Sequence, residues 1–480
     1  MGWFRTMMRD WLGIGRGATG LGATGGAEKP HGAFAAEVRR NKIWYRGDGA
    51  ELAQFYGLHD DGLGNRSFWA ASGNNAAIRK LHSGLPALIV DCVADLAVND
   101  LVGIKLDSDE TQAVWDAIAA ENGFVRLLAK AVRDAAALGD GAFKISYDKA
   151  VSAYPIIEFF GAEEVRFVHS RGRVTHVVFM RGIVSESDGR YYTLEEIYSR
   201  TGIDYRLLDD KGREVDLQTA AEFAEFAELT ELTSITHNLG INLAIPLLFD
   251  ENPRHKGRGR SIFDAKIGAF DALDEVLSQW IDALRDGRVQ KYIPIGMLPR
   301  NPHNGRVMGL SAFESRFVQT EMDMAEGADN SIKVVQPAID TAALEASCAN
   351  YLNFALQGII APATLGIDLK RRDNAEAQRE KEKATLYTRG KLIGVLREVV
   401  ARVAQAAVAA HFALTDRVLT DCIATVEFGE YAAPDFGSQI ETVGKGRQMG
   451  IISIENAVEQ LYGGTWTAEQ KAEEVERIRK

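Results

Sequence analysis

Cysteine is scarce in this chain: Cys92, Cys348 and Cys422 stand far apart, each among aliphatic or small neighbours. Thiols so placed do not make a disulfide framework, and they fit a reducing compartment such as the cytosol. Basic charge is in deficit too, with 55 Lys and Arg against 67 Asp and Glu, so a general nucleic-acid grip is not expected. Nowhere does an apolar run approach the roughly 20 residues a membrane-spanning helix needs. The opening MGWFRTMMRDWLGIG lacks an uninterrupted apolar core and a small-residue cleavage site, which argues against a secretory signal. It fits the myristoylation pattern through Gly2 and Thr6, but bulky Trp3 and Phe4 favour a chance match. These absences leave a soluble cytoplasmic class with no membrane partner.

Catalytic signatures are missing as well. The chain has no G-x-x-x-x-G-K-[ST], no H-E-x-x-H, no C-x-x-C and no G-x-S-x-G, and its nine histidines are scattered. His169 and His176 fall on adjacent expected strands and could meet, but a metal site would want a third ligand. Asp60-Asp61 and Asp209-Asp210 sit beside glycines, where solvated turns are a plainer reading than an acid/base pair. Gly15 to Gly20 and Gly20 to Gly25 fit G-x-G-x-x-G, yet no strand leads into them as a pyrophosphate cradle requires. No catalytic residue, cofactor or metal site is expected, and the chain is read as not an enzyme.

What is there is length and pattern. At 480 residues and 46% hydrophobic the chain can bury a large core, and two or more domains are the default. A glycine-rich stretch at 13–32 reads as a flexible arm. Helical spacing covers 85–101 and 109–138, the latter broken at Asn122-Gly123. From Ile156 to Val215 short strands alternate with turns, so the region is α+β. After the basic linker DENPRHKGRGR, Ser261 offers an N-cap for a helix running to about Asp286. Its seam is Phe263, Ile267, Phe270, Leu277, Ile281 and Leu284, with Asp274 at the one position not apolar. The opposite face is read as acidic, through Asp264, Asp271, Asp274, Glu275, Asp282 and Asp286.

Residues 288–337 lose helical period and carry four prolines. A second helix spans about Thr341 to Ile360, and Pro362 stops it. A proline-free run from Asn374 to about Leu414 follows, with Gly390 and Gly394 making a kink plausible. CIATVEF reads as a strand returning to the sheet. Two short amphipathic helices close the chain, the last opened by a Thr467/Gln470 capping box.

The order of these elements resembles the portal proteins of long-tailed, double-stranded DNA bacteriophages, the gp6-like family. The segments that carry it are SIFDAKIGAFDALDEVLSQW, YIPIGMLPRNP, ALEASCANYLNFALQGIIAPATLGID and NAEAQREKEKATLYTRGKLIGVLREVV, with the R-x-x-x-x-A-T stretch from Arg379 to Thr385. The resemblance implies a wing, a long-helix stem, a small α/β clip and a short helical crown, assembled as a ring of commonly twelve subunits. By position, 1–37 would be a flexible arm, 38–250 the wing, 251–287 a linker with the first stem helix, and 288–337 the clip. Residues 338–361 would be the second stem helix, 362–373 the tunnel loop, 374–435 the long kinked wing helix with its strand, and 436–480 the crown.

The family's role is a ring at the capsid vertex through which DNA is packaged and ejected. The implied partners are copies of itself, duplex DNA, the terminase large subunit, head–tail connector proteins, and the major capsid and scaffolding proteins. The location would be the virion, with assembly in the host cytoplasm. Leu365, Asp368, Lys370, Arg371 and Arg372 would lie in the tunnel loop, and Tyr292, Met297, Arg300 and Arg306 would dock partners from the clip. The helix seam named above would pack the stem. An acidic stem would spare sliding DNA the counterion-release grip of fixed Lys and Arg. Two other readings stand beside this one: an oligomeric scaffold without a DNA channel, and an α+β enzyme with no recognisable motif.

Overall fold

The computed structural model describes residues 30–58, 67–70, 78–184, 190–217, 234–237, 239–294, 302–305, 316–320, 331–367, 375–417, 422–429, 436–462 and 466–479. These divide into two compact units, 1–427 and 428–480, and mix helices with sheets. Among them no helix is long and apolar enough to cross a membrane.

The larger unit begins with helices α1 (Pro30–Arg46) and α2 (Gly49–Leu58), the second capped by Asp48 Oδ1, which accepts from the Ala50 and Glu51 amides. Helix α1 therefore starts inside the expected arm, ahead of the boundary at residue 38, because Phe34 and Val38 are core residues. Helix α3 (Leu85–Val98) takes Pro86 in its first turn, where the missing N–H has no partner to lose. It stops short of the expected end, and Leu101–Leu106 forms strand β1 instead. Helices α4 (Asp109–Asn122) and α5 (Phe124–Leu138) meet at Gly123, whose φ of 55° ends one and opens the other, as the Asn-Gly signal predicted.

The core sheet has the order β10–β2–β3, from Ala244–Leu248, Asp140–Ser146 and Ile156–Gly161. Strand β2 is buried along six of its seven residues. A second, antiparallel sheet follows: β4 (Val165–Ser170), β5 (Arg173–Val184), β6 (Tyr191–Tyr198), β7 (Gly202–Leu208) and β8 (Glu214–Val215), with β9 (Ile235–Thr236) also on β7. A bulge between Val168 and His169 shifts the β4–β5 register, so Val168 faces His176 and His169 faces Val174. The two histidines are not opposite one another.

Helix α6 (Ile267–Asp286) follows a 3-10 turn at Asp264–Lys266. Ser261 does not cap it: its hydroxyl bonds to the Ala136 carbonyl and accepts from the Phe263 amide. Strands β11 (Gln290–Pro294), β12 (Arg316–Thr320) and β13 (Lys333–Val335) form a small sheet ordered β12–β11–β13. Among the described residues of 288–337 these three strands are the regular elements. Helix α7 (Thr341–Leu356) returns along α6, capped by Asp340, whose Oδ1 accepts from the Ala343 amide.

Helix α8 (Ala375–Leu414) runs 40 residues without interruption, through Gly390 and Gly394. From Leu392 onward its inward side chains, among them Leu396, Val400, Val403, Ala407 and Val408, are core, packed on α3, α4, β2 and β10. Strand β14 (Ala424–Phe428) pairs with β1 and not with the core sheet. The smaller unit carries α9 (Phe436–Gln448), α10 (Ile454–Tyr462) and α11 (Ala468–Arg479). The expected capping box opens α11: the Thr467 amide donates to Gln470 Oε1 and the Gln470 amide to Thr467 Oγ1.

Candidate functional site

Three anchoring clusters set the elements that the sequence nominated for function. The first surrounds the acid that interrupts the α6 seam. Asp274 is fully buried, with 0% exposure. Its Oδ2 accepts from Trp69 Nε1 at 3.2 Å and lies 2.9 Å from His82 Nδ1, while Oδ1 accepts from the Ser83 amide at 2.8 Å. One turn on, Ser278 Oγ donates to the Asp274 carbonyl and accepts from the Leu81 amide. Asp271 binds the same strap, accepting from Ser67 Oγ and the Phe68 amide. Burial pushes the Asp271 carboxyl above its usual range, partly offset by those two donors. Lys80 Nζ completes the strap by donating to the Phe68 and Trp69 carbonyls.

This corrects the acidic-face reading of α6. Asp264 pairs with Arg40 and Arg254, and Asp271 and Asp274 hold residues 67–69 and 83, so three of the six face other parts of the subunit. A desolvated carboxylate is tolerated only where donors surround it, and the strap supplies them. The seam divides at the same place. Phe263 and Phe270 are sealed in the core against each other, with Trp44 beside Phe270, while Ile267, Leu277 and Ile281 are half-buried and Leu284 is 51% exposed.

The basic linker is the second cluster. Arg258 grips Asp140 with two bonds, Nε to Oδ2 at 2.8 Å and Nη2 to Oδ1 at 2.7 Å, and its guanidinium lies 4.0 Å from the Phe34 ring centroid. The Gly259 amide donates to the same carboxylate. Gly139 has a φ of +116°, and a Cβ there would meet the Gly259 carbonyl oxygen at 2.6 Å, so the two backbones touch only because both residues are glycine. Arg254, Arg260 and Lys391 face Glu37, Asp250 and Asp264. The linker's three arginines are thus paired within the subunit, and the segment is a clasp.

The third cluster is the root of the expected tunnel loop. Thr385, on the charged first part of α8, is buried, and its Oγ1 accepts from the Ala361 amide at 2.9 Å and bonds to Thr364 Oγ1 at 2.9 Å. One turn along, Thr388 Oγ1 donates to the Ile359 carbonyl at 2.6 Å. Arg389 anchors that turn on Asp100, with Nε–Oδ2 at 2.6 Å. The loop therefore leaves a fixed base at 359–364. Leu365 is half-buried in the turn that follows, while Asp368, Lys370, Arg371 and Arg372 lie outside the described residues.

The two expected stem helices run antiparallel: Lys266 Nζ donates to the Phe354 carbonyl at one end, and Gly287 faces Ile339 at the other. A Cβ on Gly287 would fall 2.2 Å from Ile339 Cδ1, so glycine sets this crossing. Helix α7 fully buries only Ala355 and Leu356. Phe354 is 56% exposed, and Tyr351 and Leu284 are exposed with it. In the expected clip, Tyr292 is half-buried with its hydroxyl on Gln290, and Met297, Arg300 and Arg306 lie outside the described residues.

Of these clusters the sequence singled out two residues by their setting, and named Asp264 and Asp271 only as part of an acidic face. Asp274 stood out as an acid in an apolar seam, a pattern that marks a partnered buried carboxylate. Thr385 lay within the stretch that carried the family resemblance. Trp69, His82, Ser83 and Arg258 gave no signal, because their partners are distant in the chain.

A sequence model of the family described as "Phage portal protein, SPP1 Gp6-like" matches residues 30–359. A comparison with curated protein sequences gave no match. Among solved structures, the chain is similar to one from the "Neck of native GTA particle computed with C12 symmetry", at 12% identity and TM-score 0.42, covering 82% of this chain and 89% of that one. A chain of the "Virion of native gene transfer agent (GTA) particle" has 12% identity and TM-score 0.41, with 98% of each covered. One from the "Neck of empty GTA particle computed with C6 symmetry" has 12% identity and TM-score 0.41, covering 82% and 90%. At such identities and scores these likenesses do not bear on assembly or partners.

Proposed function

The chain belongs to the family of phage portal proteins, SPP1 Gp6-like, and from that premise we propose that it closes with copies of itself into a ring, commonly twelve, around a channel for duplex DNA. The observation that carries this reading is α7. A 16-residue helix in the middle of the chain fully buries only its last two residues and exposes Tyr351 and Phe354, and the helix it lies on exposes Leu284 towards its other end. A single subunit gains little from holding such apolar side chains in water, whereas ring neighbours would cover them.

In this assignment α6 and α7 form the stem, 288–337 the clip, and 362–373 the loop that narrows the channel. The role is non-enzymatic: the ring sits at the capsid vertex, docks the terminase motor through the clip and later receives head–tail connector proteins. Lys370, Arg371 and Arg372 are the positive points nearest passing phosphates. Three cations per subunit would give a salt-sensitive grip, applied from a loop whose root Thr385 and Thr388 anchor.

Electron microscopy of the purified protein tests the assignment. Rings with a central opening of at least roughly 20 Å, the width of a duplex judged from its groove dimensions, are expected. Closed assemblies without an opening would favour a scaffold, and compact particles of 52.6 kDa alone would overturn the reading. Changing Lys370, Arg371 and Arg372 together to Gln should leave the rings intact and alter the packaging of DNA in a motor-driven assay.

A further inference from the structure

Strand β1 pairs only with β14 among the described residues and turns its other edge towards α4. At one end of that edge the Gln112 side chain acts as a missing strand would: it accepts from the Leu106 amide at 2.8 Å and donates to the Ile104 carbonyl at 3.2 Å. Towards Leu101 no such substitute stands, and the edge opens over a cavity of about 640 Å³ between β1, α4 and the first turn of α5. Its floor is apolar, with Trp115 and Phe124 buried edge-to-face at 5.0 Å. Its rim carries Val102 and Val125, which are 69% and 59% exposed, with Asp116 and Arg126 also lining it. Two largely bare valines at one apolar hollow call for a cover.

The chain carries a segment of matching chemistry. Trp3, Phe4, Met7, Met8, Trp11 and Leu12 recur at four-residue spacing, the pattern of one helix face, with Arg5, Arg9 and Asp10 between them. Reach agrees with this. The described chain starts at Pro30 in α1, where Phe34 packs against Leu138 at the far end of α5 from the cavity. The length of α5 is roughly 21 Å. The glycine-rich stretch from Gly13 to Lys29 would span about 23 Å root-mean-square as a flexible coil. Such a tether gives an effective concentration on the order of millimolar, which favours the chain's own segment over a free partner of similar affinity. Arg5 and Arg9 complement Asp116, and Asp10 complements Arg126.

We propose that residues 3–12 form an amphipathic helix whose apolar face seats in the β1–α4–α5 cavity of the same chain. Seated there, it covers the open edge of β1, which would otherwise be a template for pairing with another chain. The inference does not depend on the DNA channel.

Two measurements on the full chain test it. Hydrogen exchange at Val102 and Ile104 should be at least tenfold slower in the intact protein than in a Trp3→Asp, Trp11→Asp variant of the same oligomeric state. A photo-crosslinking benzoylphenylalanine at position 12 should join peptides containing Val102 or Val125, and mixed isotope labelling should place the link within one chain. Equal exchange in both proteins would overturn the proposal. So would links found only between chains, or protection that follows assembly irrespective of the two tryptophans, since a second copy would then be the cover.

Discussion

The first and second halves of α6 share one apolar spacing but have different surroundings. Up to Ser278 the helix is held by residues 67–69 and 81–83, and two of its acids are turned inward, with Asp274 completely buried. Beyond it, Ile281 is half-buried, Leu284 is exposed, and the helix lies along α7, itself mostly exposed. A polar side chain at a seam position therefore marks the half held within the subunit, because a buried carboxylate needs fixed donors that only a well-ordered surround supplies. An unbroken seam with no polar partner marks the half left for a neighbour. The same helix is a domain element at one end and an interface at the other.

The largest effect should come from breaking the internal half. Asp274→Ala strands the Trp69, His82 and Ser83 donors, and should cost about 3–5 kcal/mol in a urea unfolding experiment. A loss under about 1 kcal/mol would show that the strap is not the anchor described. Next comes the loop root: Thr385→Val leaves the Ala361 amide without its acceptor, and a cost of about 1–3 kcal/mol is expected. The same change should raise hydrogen exchange at Ala361 while leaving Leu396 protected.

The smallest effect is a pH dependence. Burial raises the Asp271 carboxyl, so between the unfolded and folded values the folded chain binds more protons, and stability falls as pH rises through that window. Asp271→Asn removes this contribution. Relative to the wild type, the variant should gain stability as pH rises from below the usual carboxylate range to neutrality. A constant difference across that range would contradict the assigned burial.

Much of the fold could be read from local pattern. The Asn122-Gly123 break, the strands from Ile156 to Leu208 and the Thr467 capping box all rest on residues close in sequence, where periodicity and turn chemistry act. Strand β1 was misread as the end of α3 because LAVNDL continues an apolar run and its pairing partner lies more than 300 residues away. Ser261 looked like a cap, but its hydroxyl is taken by the Ala136 carbonyl. The acidic face of α6 was misassigned for the same reason: which side of a helix meets water depends on a distant strap. The clasp formed by Arg258 and Asp140 was invisible because a basic, glycine-rich stretch reads as a solvated linker until its carboxylate is located.

The account stands or falls on whether the exposed faces of α6 and α7 are a subunit interface. The most direct measurement is the solution mass of the wild type and of a Leu284→Asp, Phe354→Asp variant at equal concentration, each paired with its unfolding curve. The wild type should have the mass of a ring of many 52.6 kDa subunits. The variant should fall to monomers or small oligomers while its subunit stability shifts by no more than about 0.5 kcal/mol. A variant that still assembles as the wild type does would contradict the claim.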